Sequence, residues 1–454
     1  MNKLNIEPLF NFDSNQNSFL LHKGKAKITV KDELYRGSGE AKLELQPSAS
    51  IIFNAEFENV SPIHIMNDMF GETSTNIFSL DDHKIDGFNM GDSSEQSTWK
   101  MKWRARSEPT KLQLFKNEET KKIIFHLFNF NDFHSESFST ETHENTPKHI
   151  SYFTLLWKTY KITIKSLYST RDSVQILKNE GGYRLTQVGS IEKSDDSMFT
   201  ENEQISLLEG LRYFISFAKG SWCGPVCPVG FNTSNKEIWY SFNSPNKQWQ
   251  SPFSWFDTMH ASQLEELFPL FMNLWEKDNW KTTIKEIIYW YLNANDSSRG
   301  IDAGLILTQA ALERLSFEYV VNEKKLLSAK GFKDIWASDK FRLLFSSLDI
   351  PIKIDESLIN FTKSAKEYSW LDIPHGLTEI RNSLIHPEHK KHGKITTSLF
   401  LEAWNISLWY LEMSLLAICG YSGTYANRLT VQRYVGTVEK VPYNKERDGV
   451  NVSL

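Results

Sequence analysis

The hydrophobic periodicity of this 454-residue chain changes near residue 200, and that change constrains the fold more than any other feature. Before it, apolar and polar residues mostly alternate, as in the KITIK sequence at 161–165, which is typical of strands with one buried face. After it, apolar residues recur at helical intervals, beginning with Ile205, Leu208 and Leu211. The pattern predicts an α+β protein in which a β-rich N-terminal domain precedes an all-α helical bundle.

The same pattern sets the domain boundaries. We divide the chain into a β-rich sensor or regulatory domain (1–200), a helical, tryptophan-rich connecting region (201–279), a helical domain (280–425) and a C-terminal tail (426–454). A polar segment without periodicity, 133–148, is predicted to be a long mobile loop. Helices are predicted over residues 261–277, 280–294, 300–322, 338–347, 355–366, 374–386 and 395–420.

Charge and cysteine content limit the classes of function. With 51 Lys and Arg against 56 Asp and Glu, no whole-chain field attracts nucleic acid or anionic lipid, so a polyanion site must be a local patch. Three cysteines favour a reducing compartment, and the N-terminus lacks the apolar core of a signal peptide. The most apolar run, 406–421, contains Ser407, Glu412 and Ser414, which favours a buried helix. We expect a cytoplasmic protein that does not span a membrane.

Two clusters permit both a functional and a structural interpretation. Cys223 and Cys227 have a spacing that zinc sites can use, but a structural zinc ion needs four ligands, and a buried turn is the better prediction. Seven tryptophans lie between residues 222 and 290, where they could stack on unpaired bases. Because regular basic residues do not interleave with them, core or inter-domain packing is favoured. We predict no metal and no other cofactor.

The sharpest signal is the segment LTEIRNSLIHP at 377–387. Its apolar residues form one helical stripe, which leaves Arg381, Asn382 and His386 off the centre of that stripe. Pro387 disfavours helical geometry at the preceding residue, so the imidazole should lie at the helix C-terminus, where the helix dipole favours its protonated form. The helix is therefore predicted to end in a titrating group with a guanidinium nearby.

A local basic patch follows the proline. Residues 388–394 contain three lysines and two histidines against one acid. Lys390 and Lys391 are the candidates for contacting nucleic acid. A solvated loop is the alternative, because charge runs usually only face water.

The motif resembles a known family signature. Arg381 and Asn382 followed after three residues by His386, at the end of a helix in a helical region, resemble the Rx4-6H signature of the HEPN superfamily, in which a polar residue commonly follows the arginine. This resemblance implies that the all-α bundle is HEPN-like. It also implies a metal-independent endoribonuclease that acts as a homodimer or higher homo-oligomer, with two motifs facing each other.

The resemblance extends over roughly residues 280–425. The sequences WYLNA at 290–294 and QAALE at 309–313, together with the final helix through Trp409, resemble the ApeA-like HEPN proteins of bacterial anti-phage abortive infection. In those proteins the helical domain also follows a large N-terminal region. The resemblance therefore implies a toxin-like effector with an RNA substrate and a phage-derived trigger.

The chemistry suits these side chains. Histidine can take a proton from a ribose 2′-hydroxyl or give one to the leaving 5′-oxygen, and arginine can bind the scissile phosphate. Cleavage would leave a 2′,3′-cyclic phosphate and a 5′-hydroxyl, and DNA would not be cut. On this interpretation Arg381 binds phosphate, His386 is the acid or base, Asn382 positions one of them, and Glu313 is a weaker candidate.

Two alternatives remain open. In the first, the helical domain is a non-catalytic HEPN module that binds a nucleotide or partner and dimerises, with Arg381 as a phosphate anchor and His386 as a helix-end residue. In the second, the β-rich half is a ligand-binding sensor and the helical half is only a dimerisation platform.

Overall fold

The structure is a computed structural model with an α+β architecture, as the sequence predicted. It describes residues 4–12, 16–30, 33–59, 77–95, 97–115, 117–143, 146–386, 396–430 and 432–443. The chain forms two compact units. The first, here the β unit, comprises Met1–Asp132, Glu136–Leu211 and Cys223–Gln250. The second, here the helical unit, comprises Phe133–Ser135, Arg212–Trp222 and Ser251–Leu454.

The β unit contains an antiparallel seven-stranded sheet with the order β5-β4-β1-β2-β3-β7-β6. Its strands are β1 (Ser18–Val30), β2 (Glu33–Glu44), β3 (Ser50–Glu58), β4 (Ile77–Leu80), β5 (His83–Ile85), β6 (Gly87–Glu95) and β7 (Thr98–Ala105). Burial alternates strictly along β7, where Trp99, Met101 and Trp103 face the core and the residues between them do not. This is the period of two expected for a sheet with one buried face.

A second, eight-stranded antiparallel sheet has the order β10-β11-β12-β13-β9-β14-β15-β8. Its strands are β8 (Thr110–Gln113), β9 (Lys122–Phe128), β10 (Phe138–His143), β11 (Thr146–Trp157), β12 (Tyr160–Ser166), β13 (Leu185–Lys193), β14 (Pro225–Phe231) and β15 (Glu237–Phe242). Two helices lie between these strands in sequence, α1 (Thr170–Glu180) and α2 (Glu201–Lys219). One core cluster draws buried residues from both sheets, and the rings of Phe53 and Phe242 are 6.1 Å apart within it.

The prediction of a mobile loop at 133–148 is wrong over most of that segment. The hairpin of β10 and β11 occupies the segment, with Phe138 paired to Ser151 and Ser139 to Ile150. Because β10 is an edge strand with mainly polar residues, main-chain hydrogen bonds to β11 stabilise it without an apolar alternation in the sequence.

The helical unit is built from eight α-helices within the described residues. They are α3 (Ser262–Trp275), α4 (Asp278–Ala294), α5 (Ile301–Ser316), α6 (Ala329–Asp334), α7 (Ala337–Ser347), α8 (Ile359–Tyr368), α9 (Ile373–Ile385) and α10 (Thr397–Cys419). A π-helical segment, Phe317–Glu323, continues α5, and a short ribbon pairs β16 (Thr424–Tyr425) with β17 (Glu439–Lys440). Nothing in the described part of the chain forms a helix with both the length and the apolar character that a bilayer crossing requires.

A buried ion pair fixes the segment that follows α10. Arg428 donates to both carboxylate oxygens of Glu412, from Nη2 at 2.5 Å and from Nε at 3.0 Å. Tyr291 of α4 donates to the same carboxylate at 2.6 Å, and Asn295 accepts from the guanidinium at 3.3 Å. The acid that interrupts the apolar run of α10 is therefore paired inside the unit, as a buried charge must be.

Candidate functional site

The helix that carries the Arg-Asn-His motif, α9, is fixed at its start. Asp372 caps it by accepting from the amide of His375 at 2.9 Å, and Pro374 occupies the first turn. The same carboxylate accepts from Nε and Nη2 of Arg342 on α7, at 2.5 and 3.1 Å. A bidentate pair of this kind sets orientation as well as position, so it holds α9 against α7.

The middle of α9 is tightly packed against the neighbouring helices. A methyl group on Gly376 would lie 2.4 Å from the ring of Phe361 on α8, so only glycine permits this approach. Gln309 of α5 is buried and donates to the carbonyl oxygen of Leu377 at 2.6 Å. Leu377 and Ile380 are fully buried. These contacts orient the stripe that the sequence predicted and thereby determine where the last turn of α9 points.

The last turn of α9 is open to solvent. The helix ends at Ile385, and His386 is its C-cap residue, with φ −109° and ψ 103°. The amide of His386 donates to the carbonyl oxygen of Asn382 at 2.9 Å, and the residue is exposed. His386 therefore lies at the C-terminal, negative end of the helix dipole. Lys390 and Lys391 lie outside the described residues.

Arg381 makes its side-chain contact with a neutral neighbour. Its Nη1 donates to Oδ1 of Asn382 at 3.3 Å, while its Nε is buried and makes no hydrogen bond to the described residues. Arg314, Arg342 and Arg428, by contrast, each bind a carboxylate. Within the part of the chain that the structure describes, Arg381 has no such carboxylate partner. A neutral amide orients the guanidinium without compensating its charge.

Asn382 links the two ionisable residues of the motif. Its side chain accepts from Arg381, and its main-chain carbonyl accepts from the amide of His386. Five residues separate Arg381 from His386, which is about 140° around an ideal helix. The structure thus brings the guanidinium and Asn382 together and sets His386 just past the end of the helix, about 1.4 turns after Arg381. An anion that reaches this end of the helix would meet the guanidinium of Arg381, which has no carboxylate partner among the described residues, and the imidazole of His386.

Glu313, the weaker candidate, is engaged elsewhere. It lies on α5 and pairs with Nζ of Lys340 on α7 at 2.5 Å. This contact gives the glutamate a structural role between two helices. No local pattern in the sequence identifies Gln309 and Arg342 as supports of α9, because their partners are distant in sequence. Asp372 carried a local signal, since an acidic residue just before a proline in the first turn is typical of a helix start.

The two cysteines of the CxxxC pair are buried hydrogen-bond donors. Sγ of Cys223 donates to the carbonyl of Phe128 at 3.4 Å, and Sγ of Cys227 donates to that of Asn243 at 3.3 Å. Burial raises the pKa of the Cys227 thiol to about 12, so it is protonated at neutral pH. Among the described residues no group of three or more His, Cys, Asp or Glu side chains is placed to hold a metal ion.

The tryptophans between residues 222 and 290 serve mainly in packing. Trp255, Trp275 and Trp280 are fully buried and Trp239 is nearly so. The prediction of a packing role is confirmed for these four, because a buried ring offers no face on which a base could stack.

Comparison with known proteins gives two family matches and one relative. Residues 115–252 match the family model described as the YopA central domain, and residues 277–440 match the one described as the YopA C-terminal domain. The SPbeta prophage-derived uncharacterized protein YopA of Bacillus subtilis (strain 168) is 26% identical over 443 residues, which cover 94% of this chain and 95% of that protein. No solved structure matches the chain. The second match contains the whole of α9, so the motif lies inside a region that is similar to a recognised domain.

Proposed function

We propose that this protein is a metal-independent endoribonuclease of the HEPN type and acts as an effector in bacterial anti-phage abortive infection. The observation that carries the proposal is the state of Arg381. Its guanidinium is held by a neutral amide and has no carboxylate partner among the described residues, and Arg381 precedes the exposed His386 by about 1.4 helical turns. A guanidinium without a carboxylate partner among the described residues, on the same helix end as an exposed imidazole, suits a phosphodiester substrate.

The three residues of the motif have separate roles in the proposed reaction. His386 accepts the proton of a ribose 2′-hydroxyl or protonates the leaving 5′-oxygen, and Arg381 binds the scissile phosphate and balances the charge that grows on its oxygens. Asn382 is a positioning residue that orients Arg381. The 2′-oxygen bonds to phosphorus as the bond to the 5′-oxygen breaks, which gives a 2′,3′-cyclic phosphate and a 5′-hydroxyl.

The setting of the reaction is part of the same proposal. The substrate is RNA, the enzyme is cytoplasmic, and a homodimer or higher homo-oligomer brings two copies of the motif together. The relative's description as prophage-derived associates a similar protein with phage genomes. We extend that association to a role in defence, in which a phage-derived trigger releases the activity.

The test is cleavage of a defined single-stranded RNA in the presence of a metal chelator, with analysis of the product ends. His386→Ala and Arg381→Ala should each reduce cleavage by at least a hundredfold, because general acid–base catalysis typically contributes about 10²–10⁴-fold. Arg299→Ala is the matched control, since Arg299 is an exposed arginine of the same unit that lies outside the motif. His386→Ala and Arg299→Ala should retain the wild-type melting temperature, and Arg381→Ala, which removes a buried Nε–H without a partner among the described residues, should retain or raise it.

Two results would count against the proposal. Undiminished cleavage by His386→Ala would remove the assigned role of the imidazole. A wild-type protein that binds the RNA without cutting it, and loses binding in Arg381→Ala, would favour the non-catalytic phosphate-binding module instead. A substrate with deoxyribose at the cleaved position should remain intact, because it lacks the 2′-hydroxyl nucleophile.

A further inference from the structure

Trp336 is an exposed tryptophan at the start of a helix in the helical unit. All fourteen tryptophans lie in the described residues, and Trp336 is 81% exposed whereas the other thirteen are buried or half-buried. It is the N-cap residue of α7, and its main-chain carbonyl accepts from the amides of Asp339 and Lys340 at 3.0 and 3.1 Å. Its side chain makes no capping hydrogen bond. The backbone is therefore fixed while a large aromatic ring stands in water, which is unusual for tryptophan.

Four lysines lie in the twelve residues before this tryptophan, all of them exposed: Lys324, Lys325, Lys330 and Lys333. None of the four forms an ion pair within the part of the chain that the structure describes. The same stretch contains one acid, the exposed Asp334. Glu323, just before it, lies 3.8 Å from Nζ of Lys277. The segment 324–336, here the basic segment, is thus a local positive patch on a chain whose net charge is −5.

Buried contacts fix the basic segment on the helical unit. Phe332 of α6 is buried, and its ring lies 5.5 Å from that of Phe317, at the start of the π-helical segment that precedes these lysines. Lys330 and Lys333 are three residues apart on α6, so they are neighbours on its surface. The helix ends two residues before Trp336. The ring and the lysine pair therefore lie close together on a segment that is held in place.

Exposed cations next to an exposed aromatic ring suit a single nucleic acid strand. Lysines attract the phosphates, and every base has a face that can stack on the ring. A solvated loop would account for the lysines, since charge runs usually face water, but it does not account for the ring. A membrane surface is disfavoured, because α6 has only six residues and buries Phe332, so it presents no amphipathic helix to a bilayer.

We propose that the basic segment binds single-stranded RNA. Trp336 stacks on a base, and the lysines contact phosphates of the same strand. The choice of RNA rests on the proposed function, to which this inference adds a substrate-binding surface outside the Arg381–His386 motif. Stacking and charge read no base edge, so the binding tolerates many sequences.

The test measures binding in the absence of cleavage. The probe is a fluorescein-labelled single strand of 2′-O-methyl RNA, whose blocked 2′-oxygen cannot act as the nucleophile, and fluorescence anisotropy with the full chain gives its affinity at several salt concentrations. Trp336→Ala should weaken binding about fivefold or more, because it removes a stacked base contact. The double variant Lys330→Gln/Lys333→Gln should lower the slope of log affinity against log salt by about 1.4, since each phosphate contact on a single strand contributes about 0.7.

Each variant has a matched control in the helical unit. Tyr434→Ala removes another aromatic ring, which is 68% exposed. Lys363→Gln/Lys366→Gln removes two exposed lysines that are also three residues apart, on α8. Both controls should bind the probe as the wild type does. Trp336→Phe keeps a ring and should retain most of the affinity, which separates stacking from a change in fold.

Three results would overturn the proposal. The first is a wild-type protein that does not bind the probe, or test variants with unchanged affinity and salt dependence. The second is an equal loss of affinity in Trp336→Phe and Trp336→Ala. The third is weaker binding of the test variants to phosphatidylglycerol vesicles with unchanged binding of the probe, which would assign the surface to a membrane.

This test fails independently of the proposed function. A wild-type protein that binds the probe through the basic segment but cuts no unmodified RNA would refute the catalysis and support the surface. Cleavage of unmodified RNA with unchanged probe affinity in the test variants would refute the surface alone.

Discussion

Acidification should destabilise the β unit through one buried histidine. His126 of β9 is fully buried, and the rings of Phe10 and Phe12 pack within 5.3 and 5.1 Å of its own. Its Nε2 accepts from the amide of Leu9 at 3.2 Å, so Nδ1 carries the proton and lies 3.1 Å from its acceptor, the carbonyl of Val226. Protonation would put a second N–H against the Leu9 amide and a charge into an apolar core.

The expected magnitude follows from the pKa. Burial lowers the pKa of His126 from 6.5 to about 4. As the pH falls below 6.5, the unfolded chain takes up a proton at this residue and the folded chain does not, so the free energy of unfolding decreases. The stability that depends on a neutral His126 is fully present above pH 6.5 and is lost by pH 4. At about 1.4 kcal/mol per pH unit, the loss amounts to about 3 kcal/mol.

Comparing the pH dependence of the wild type with that of a variant at position 126 separates the effect of His126 from that of the other titrating groups. Glutamine at position 126 offers an oxygen to Leu9 and an NH₂ group to Val226 but does not titrate. Urea unfolding of the wild type and of His126→Gln would be measured at several pH values from about 7.5 to about 4. The wild type should lose about 3 kcal/mol more than the variant across that range. Parallel pH dependences in the two proteins would refute the reasoning.

Two further substitutions test the helical unit. Asn382→Asp should give Arg381 a carboxylate partner, so cleavage of RNA in chelator should fall sharply while the melting temperature holds or rises; cleavage at the wild-type rate would show that an uncompensated guanidinium is not needed. Glu412→Gln should lower the free energy of unfolding by about 3 kcal/mol, because it leaves Arg428 buried without its counter-charge. Thermal denaturation would measure this, and Glu412→Gln combined with Arg428→Met should recover much of the loss, whereas additive losses would contradict the ion-pair argument.

Most helices of the second half could be predicted closely from sequence, although α6 (Ala329–Asp334) was not predicted. The segments predicted at 374–386 and 395–420 are helices over Ile373–Ile385 and Thr397–Cys419. Local chemistry fixes these limits. Thr396 accepts from an amide of the first turn at 3.2 Å, and Gly420 adopts the left-handed conformation that ends the second helix. Capping residues of this kind are adjacent in sequence to the helix whose ends they set. They can therefore be recognised from the sequence alone.

The strands outside the first half were harder to predict. Residues 225–242, placed in the connecting region, form the hairpin of β14 and β15 within the β unit. Every residue of β14 is buried, so the strand lacks the alternation that a period of two requires. Its prolines and glycine at 225, 228 and 230 suggest a loop instead.

The candidate site was predictable only in part, for a similar reason. The sequence placed Arg381 and His386 off the apolar stripe, near the end of a helix, and that follows from local periodicity. The contacts that aim this helix join residues 30 and 68 positions apart, Arg342 with Asp372 and Gln309 with Leu377. No local pattern encodes such pairs, because only the packing of α5, α7 and α9 brings them together.

The contrast between the two ends of α9 bears on function. At its start and middle, a bidentate ion pair, a glycine contact and a buried amide hold the helix. At its end, a half-buried guanidinium keeps a buried Nε–H without a hydrogen bond to the described residues, which costs about 1–3 kcal/mol for an unsatisfied polar group. Stability alone would favour a carboxylate at position 382, because Arg314 and Arg342 are each paired with a carboxylate. A cation that lies on a well-fixed helix and has no carboxylate partner among the described residues is what the proposed phosphate-binding role requires.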